Sequence, residues 1–188
     1  MDDVQKYFEE TGYIVLENVM PPDVCNKFVD HMFDLHKRGK LSSDGQCPLS
    51  DSIYNDEIFK NALVGLSEPV SNIVGKKLLP SYTYARIYRT GEVLEPHVDR
   101  PACEVSITLT LGYKAENIWP IFFDEEKRIS VVIDVGSAVV YKGCIITHWR
   151  EVFQGEWQVQ LFLHYVDAHG PYASHAYDLI HSHTVRYK

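Results

Sequence analysis

The sequence has 188 residues, 45% hydrophobic, 23% charged and 12% aromatic, enough for one domain with a sizeable core and too apolar for a disordered segment. A formal net charge of −8 disfavours broad attachment to nucleic acid or anionic lipid. The opening Met-Asp-Asp-Val-Gln lacks the basic and apolar regions of a secretory signal, and no uncharged apolar run approaches the roughly 18–20 residues of a membrane span, so a soluble, cytoplasmic protein is expected.

In chain order, Asp2 or Asp3 caps a short helix through about Glu10, with Val4, Tyr7 and Phe8 on one side, and Gly12 stops it. Residues 13–19 read as a strand. Pro21-Pro22-Asp23 opens a second helix with Val24, Phe28, Val29, Met32, Phe33 and Leu35 on its apolar stripe, ended by Gly39. Residues 40–53, rich in Ser, Asp, Gly and Pro, form a loop. A third helix is expected from about Asn55 to Lys77, kinked or divided at Pro69.

From residue 80 the period changes to two. Tyr82, Tyr84, Arg86 and Tyr88 share one strand face, and Thr83, Ala85, Ile87 and Arg89 the other. Cys103, Val105, Ile107, Leu109 and Leu111 alternate with polar residues, and 118–123, 129–133, 138–141 and 157–166 supply further strands. Helices followed by six or seven short strands predict an α+β, mainly β, single domain over 1–188, with N-terminal helices buttressing a double-sheet barrel. An irregular, partly mobile tail with His169, His175, His181 and His183 is expected from about 168. Cys25, Cys47, Cys103 and Cys144 show no Cys-x-x-Cys spacing; they are expected to be reduced thiols, with Cys103 and Cys144 inside strand-like runs.

The chemistry concentrates in residues 88–99, Tyr-Arg-Thr-Gly-Glu-Val-Leu-Glu-Pro-His-Val-Asp. In an extended segment His97 and Asp99 point the same way, and His148 follows about fifty residues later. Two imidazoles and a carboxylate hold a divalent metal by three adjacent corners and leave the others open, the arrangement of non-haem Fe(II) oxygenases. A lone His-x-Asp among nine histidines is weak; its place between strands, with a third ligand to come, strengthens it.

The run Tyr88-x-x-Gly91-x-x-x-Glu95-Pro96-His97-x-Asp99, then a β-run, Gly136-Ser-Ala-Val-Val-Tyr and His148 resembles the Fe(II)- and 2-oxoglutarate-dependent oxygenases, in particular their prolyl 4-hydroxylase-like branch, over roughly residues 5–167. The resemblance implies a double-stranded β-helix (jelly-roll) core with His97, Asp99 and His148 as iron ligands. It implies Fe(II) as cofactor, 2-oxoglutarate as cosubstrate and ascorbate as an optional reductant. Hydroxylation of a small-molecule or peptide substrate, with succinate and CO2 as co-products, would be the reaction. The rival imidazole His164 lies deep in the final strand, away from the strand end where that family places its distal ligand.

One departure stands out. The family usually carries Lys or Arg nine or ten positions past the distal histidine to pair with the far carboxylate of 2-oxoglutarate. Here those positions are Trp157 and Gln158. Arg150 is the best replacement, since even spacing returns its guanidinium to the side of His148. The competing reading is a surface arginine paired with Glu151 or Glu156. Arg86 is the second candidate, Tyr88 matches a cosubstrate-binding tyrosine, and Gln158 or Gln160 could add an amide donor. Residues 40–54, 100–103 and the tail are expected over the mouth, with Tyr82, Tyr84, Arg86 and Trp119 facing substrate. Two alternatives stay open: a cupin-type metal enzyme without 2-oxoglutarate, and a non-catalytic jelly-roll binding module.

Overall fold

The computed structural model describes residues 2–177. Helix α1 (Asp3–Thr11) opens with a capping box: Asp2 accepts from the Gln5 N–H, and the Gln5 side chain accepts from the Asp2 N–H. Gly12 closes the helix at φ +79°, a conformation that favours glycine. Of the expected apolar side only Phe8 is buried, while Val4 and Tyr7 stay exposed. Helix α2 (Pro22–Lys37) starts at proline and buries Cys25, Phe28, Met32 and Leu35. Helix α3 (Lys60–Val74) begins later than the sequence pattern suggests. Asn55 adopts a positive φ, and Asp56 caps a short 3-10 turn over Glu57–Phe59. Pro69 lies inside α3 without dividing it.

Among the described residues ten strands form two antiparallel sheets. The larger comprises β1 (Tyr13–Leu16), β2 (Asp51–Tyr54), β3 (Leu78–Arg89), β5 (Val105–Lys114), β8 (Ala138–Tyr141) and β10 (Trp157–Asp167), in the order β1-β8-β5-β10-β3-β2. The smaller comprises β4 (Leu94–His97), β6 (Ile121–Phe123), β7 (Ile129–Val131) and β9 (His148–Arg150), in the order β4-β9-β6-β7. Strands β2, β4 and β9 lie where the sequence showed none, because their mixed segments, Asp-Ser-Ile-Tyr, Leu-Glu-Pro-His and His-Trp-Arg, lack the apolar runs that marked the equally short β1, β6, β7 and β8. Cys103 sits in a 3-10 turn and Cys144 in a turn, neither in a strand as expected. All four cysteines are unbonded.

The pleat of the large sheet sorts its side chains. Ala85 and Ile87 of β3, Ile107 and Leu109 of β5, and Leu161 and Leu163 of β10 pack with Phe8, Phe28, Met32, Phe59 and Val70 in one core between sheet and helices. Fully burying each such aliphatic or aromatic side chain contributes about 1.5–3 kcal/mol. The intervening residues, Tyr82, Tyr84, Arg86 and Tyr88 on β3 and Phe162 and His164 on β10, face the small sheet across a cavity. Chain order is thus converted into two faces, one structural and one polar.

The described part of the tail docks on β3: the Tyr177 N–H donates to the Pro80 carbonyl, and the Ser81 hydroxyl donates to that of His175. His181 and His183 lie outside the described residues. Among those residues no helix is long and apolar enough to cross a membrane.

Candidate metal centre

His97 ends β4 and His148 begins β9, and the two strands place them as direct cross-strand partners. Asp99 lies two residues past the end of β4. Its direction is set by a backbone anchor, the Asp99 N–H donating to the Gly143 carbonyl at 2.8 Å, and not by strand alternation. The result brings Asp99 Oδ1 to 3.8 Å from His97 Nε2 and 3.6 Å from His148 Nε2. The two imidazole centroids are 4.3 Å apart.

Each ring is held in register from behind. His97 Nδ1 is 2.8 Å from the Glu95 carbonyl and His148 Nδ1 is 3.0 Å from the Ile146 carbonyl. A carbonyl only accepts, so each Nδ1 carries the proton and each Nε2 turns its lone pair to the centre. Burial and the neighbouring His148 push the His97 imidazolium pKa down. Burial would raise the Asp99 carboxyl, but the imidazoles that surround it, His148 first and then His164 and His97, hold it down at about 2. A lowered His97 and an ionised Asp99 suit a cation, which takes its histidine ligands neutral and its carboxylate charged. The residues therefore fit a divalent ion of the iron type, with three donors on one side.

The triad opens on a cavity of about 1490 Å³, lined also by Tyr88, Leu94, Ile121, Tyr141, Arg150 and Phe162 at depth. Toward the mouth it is lined by Ser42–Gln46, Tyr54, Tyr82, Tyr84 and Arg100. The expected mouth loops, 40–54 and 100–103, do contribute. Trp119 does not line the cavity. It packs behind Tyr88 and Phe153, with its indole N–H donating to the Glu151 carbonyl.

Two buried arginines reach the cavity from opposite sheets. Arg150, two residues past His148 on β9, is 1% exposed. Its Nη1 donates to the Trp119 carbonyl at 2.6 Å, and its plane lies over the Trp119 ring. Its Nε and Nη2 have no hydrogen-bond partner among the described residues. Burial without an acid pushes its pKa down to about 10. The surface reading of Arg150 fails: Glu151 pairs with Arg128 and Glu156 with Lys114. Arg86, on β3, is also buried but already carries an ion pair with Asp44 at 2.5 Å. It donates further to the Tyr84 and Tyr88 hydroxyls and to Cys47 Sγ.

Gln158 lies opposite Tyr88 in the β3–β10 pairing, buried, with neither end of its amide partnered among the described residues, though it does not line the cavity. Gln160 is engaged, donating to the Thr110 hydroxyl. Trp157, at one of the two positions where the resemblance places a cation, packs edge-on against Phe33 of α2, on the helix side of the sheet. Sequence reasoning missed Ser106, Gly143 and the true place of His164, which stands beside Asp99. No spacing signal joins those three, because they meet only when β5, β10 and the loop after β8 converge.

No family model and no curated protein sequence matches the chain. Solved structures do. The non-haem alpha-ketoglutarate-dependent epimerase SnoN from nogalamycin biosynthesis superposes with a TM-score of 0.74 at 11% identity, covering 88% of this chain and 80% of that one. A Pseudomonas putida prolyl-4-hydroxylase gives 0.70 at 12% identity, covering 87% and 97%. HygX from Streptomyces hygroscopicus, with nickel and 2-oxoglutarate bound, gives 0.69 at 13% identity, covering 90% and 88%. The chain therefore has the double-stranded β-helix fold of the 2-oxoglutarate-dependent oxygenases, prolyl 4-hydroxylases among them.

Proposed function

We propose that the protein is an Fe(II)- and 2-oxoglutarate-dependent dioxygenase that hydroxylates a small molecule or a peptide side chain. The observation that carries this reading is the conjunction of the His97–Asp99–His148 triad with Arg150, a buried guanidinium that has no acid partner among the described residues, in the wall of the same cavity. A buried cation without an acid is costly, and a dicarboxylate cosubstrate relieves that cost. Bound together, Fe(II) and 2-oxoglutarate supply oxidative decarboxylation to succinate and CO2, coupled to oxygen insertion into a C–H bond.

In this reading His97 and His148 offer Nε2 and Asp99 offers Oδ1 to the iron. Arg150 would hold the far carboxylate of 2-oxoglutarate through the Nε and Nη2 that lack partners among the described residues, with the Tyr88 hydroxyl as a further polar group. Leu94, Ile121 and Phe162 give the cavity apolar lining, and a less polar surrounding strengthens charge pairing. Tyr82, Tyr84 and the loop carrying Asp44 form the substrate side. Arg86 and Gln158 are assigned supporting roles, Arg86 fixing Tyr88 and Asp44, and Gln158 backing Tyr88 from β10. The fold serves an epimerase as well as a hydroxylase, so the fold by itself does not fix the reaction.

The test is anaerobic loading with Fe(II), addition of 2-oxoglutarate, then oxygen. The expected result is a weak visible charge-transfer band followed by succinate. Metal-loaded protein that gives neither would overturn the reading in favour of a cupin-type metal enzyme without 2-oxoglutarate. His97→Ala should abolish iron retention, and normal iron content in that variant would mean the triad is misassigned.

A further inference from the structure

Behind Asp99 lies a second layer of polar groups. Ser106 Oγ, fully buried on β5, is 3.0 Å from Asp99 Oδ2 and 2.9 Å from His164 Nδ1. The ionised carboxylate only accepts, so the single serine proton goes to Oδ2; the Cys103 carbonyl, at 3.3 Å, is the weaker competitor for it. Ser106 then accepts from His164, which fixes the tautomer with the proton on Nδ1. The other flank of Oδ2 is closed by backbone. A Cβ added to Gly143 would stand 2.5 Å from Asp99 Oδ2 and 2.9 Å from Ser106 Oγ, and closer still to the Cys103 carbonyl.

We propose that Ser106 and His164 are positioning residues of the metal centre: their directed relay, walled by Gly143, ties down Asp99 Oδ2 and presents Oδ1 alone to the ion. The assignment rests on the triad being a metal site. A carboxylate free to swing would chelate through both oxygens and consume a corner that cosubstrate or oxygen needs. Hydrogen-bonded partners behind a ligand set its orientation and its affinity for metal, typically by about 10- to 100-fold. Asp99, Cys103 and His164 also offer three donor atoms within 4.8 Å of one another. A second ion there would have to take Oδ2 from Ser106, so the two arrangements exclude each other.

The test uses Co(II) titration of the full chain, read by calorimetry and by the visible d–d spectrum, with melting of the metal-free variants as a folding control. Wild type is expected to bind one Co(II). Ser106→Ala and His164→Leu should bind it about 10- to 100-fold more weakly, with a changed d–d envelope reporting altered coordination. His164→Asn, whose amide N–H can stand in for Nδ1–H, should restore affinity and spectrum. Folded Ser106→Ala and His164→Leu with wild-type affinity and spectrum would overturn the relay. So would two Co(II) per chain with an intense near-ultraviolet thiolate band lost in Cys103→Ser. Wild type that takes up no Co(II) would sink the metal reading itself and this assignment with it, whereas binding with unperturbed variants sinks this one alone.

Discussion

Arg86 and Arg150 stand on opposite sheets of one cavity, both almost wholly buried, and differ in their partners; Arg86 leaves only its Nε without one among the described residues. Arg86 has its acid within the chain, Asp44 on the loop before β2, and a set of tyrosine hydroxyls around it. Arg150 has one backbone carbonyl and an aromatic ring, and two nitrogens without a partner among the described residues. A buried ion pair is a structural element that folding completes. A buried lone guanidinium is left for something else to complete, and it stands in the same cavity wall as the triad. The contrast explains why one arginine reads as architecture and the other as a binding group.

The largest expected effect is on ligand affinity. Removing one partner of a buried, hydrogen-bonded charge pair costs about 2–5 kcal/mol, so Arg150→Met should weaken 2-oxoglutarate binding by about 30-fold to several thousand-fold. Co(II) affinity, measured in parallel, should stay within about threefold. Unchanged cosubstrate affinity would move the carboxylate role to Arg86 and dissolve the contrast.

Stability should respond in the opposite sense at the two sites. Arg86→Met leaves Asp44 without its cation and should destabilise the metal-free protein by about 3–5 kcal/mol. Arg150→Met, which removes an uncompensated buried charge, should be neutral or stabilising in denaturant melts. Equal losses in the two variants would show that Arg150 has a structural partner after all.

Next in size is ligand-induced stabilisation. At a hundredfold excess over its dissociation constant, 2-oxoglutarate should stabilise the Co(II)-loaded wild type by about 2.7 kcal/mol, and that shift should vanish in Arg150→Met while persisting in Asp44→Asn.

The smallest effect is on acid stability. Burial pushes the Asp44 carboxyl up, but the Arg86 charge and the hydrogen bonds from Tyr84 and the Cys47 N–H outweigh it and hold its pKa below the ordinary 3.8. A depressed folded pKa contributes stability that is complete above the unfolded value and is lost as pH falls through the folded one. Wild type should therefore lose stability on acidification below about pH 4 in part through Asp44, and Asp44→Asn should flatten that part of the profile. Among the described residues Arg150 has no carboxylate partner to protonate. A profile unchanged by Asp44→Asn would mean the ion pair is not kept in solution.

The sequence alone settled a good deal. The alternation in residues 82–88 and 105–111 assigned polar and apolar faces correctly, because a period of two in a long strand leaves few other ways to bury one side. Proline and aspartate placed the start of α2, and Asp2 and Gly12 bounded α1, since caps and left-handed stops are local chemistry. The spacing His97-x-Asp99 with a later His148 was enough to name three residues that the fold gathers within 4.8 Å. Strands β2, β4 and β9 were not legible, nor was the end of β4 before Asp99. Their short, mixed segments carry no apolar run, so pairing with sheet neighbours decides them and not their own pattern.

Tertiary structure alone decided what stands behind and across from the ligands. The resemblance left the cation for 2-oxoglutarate open between Arg150 and Arg86, and chain spacing could not choose. Only the packing shows Asp44 delivered to Arg86 from a loop some forty residues away, and Glu151 and Glu156 drawn off to Arg128 and Lys114. Likewise Ser106, His164 and Gly143 meet at Asp99 through long-range pairing of β5, β8 and β10, and no local rule predicts that meeting. Local chemistry names the groups; the closure of two sheets over one cavity determines which of them are left without partners.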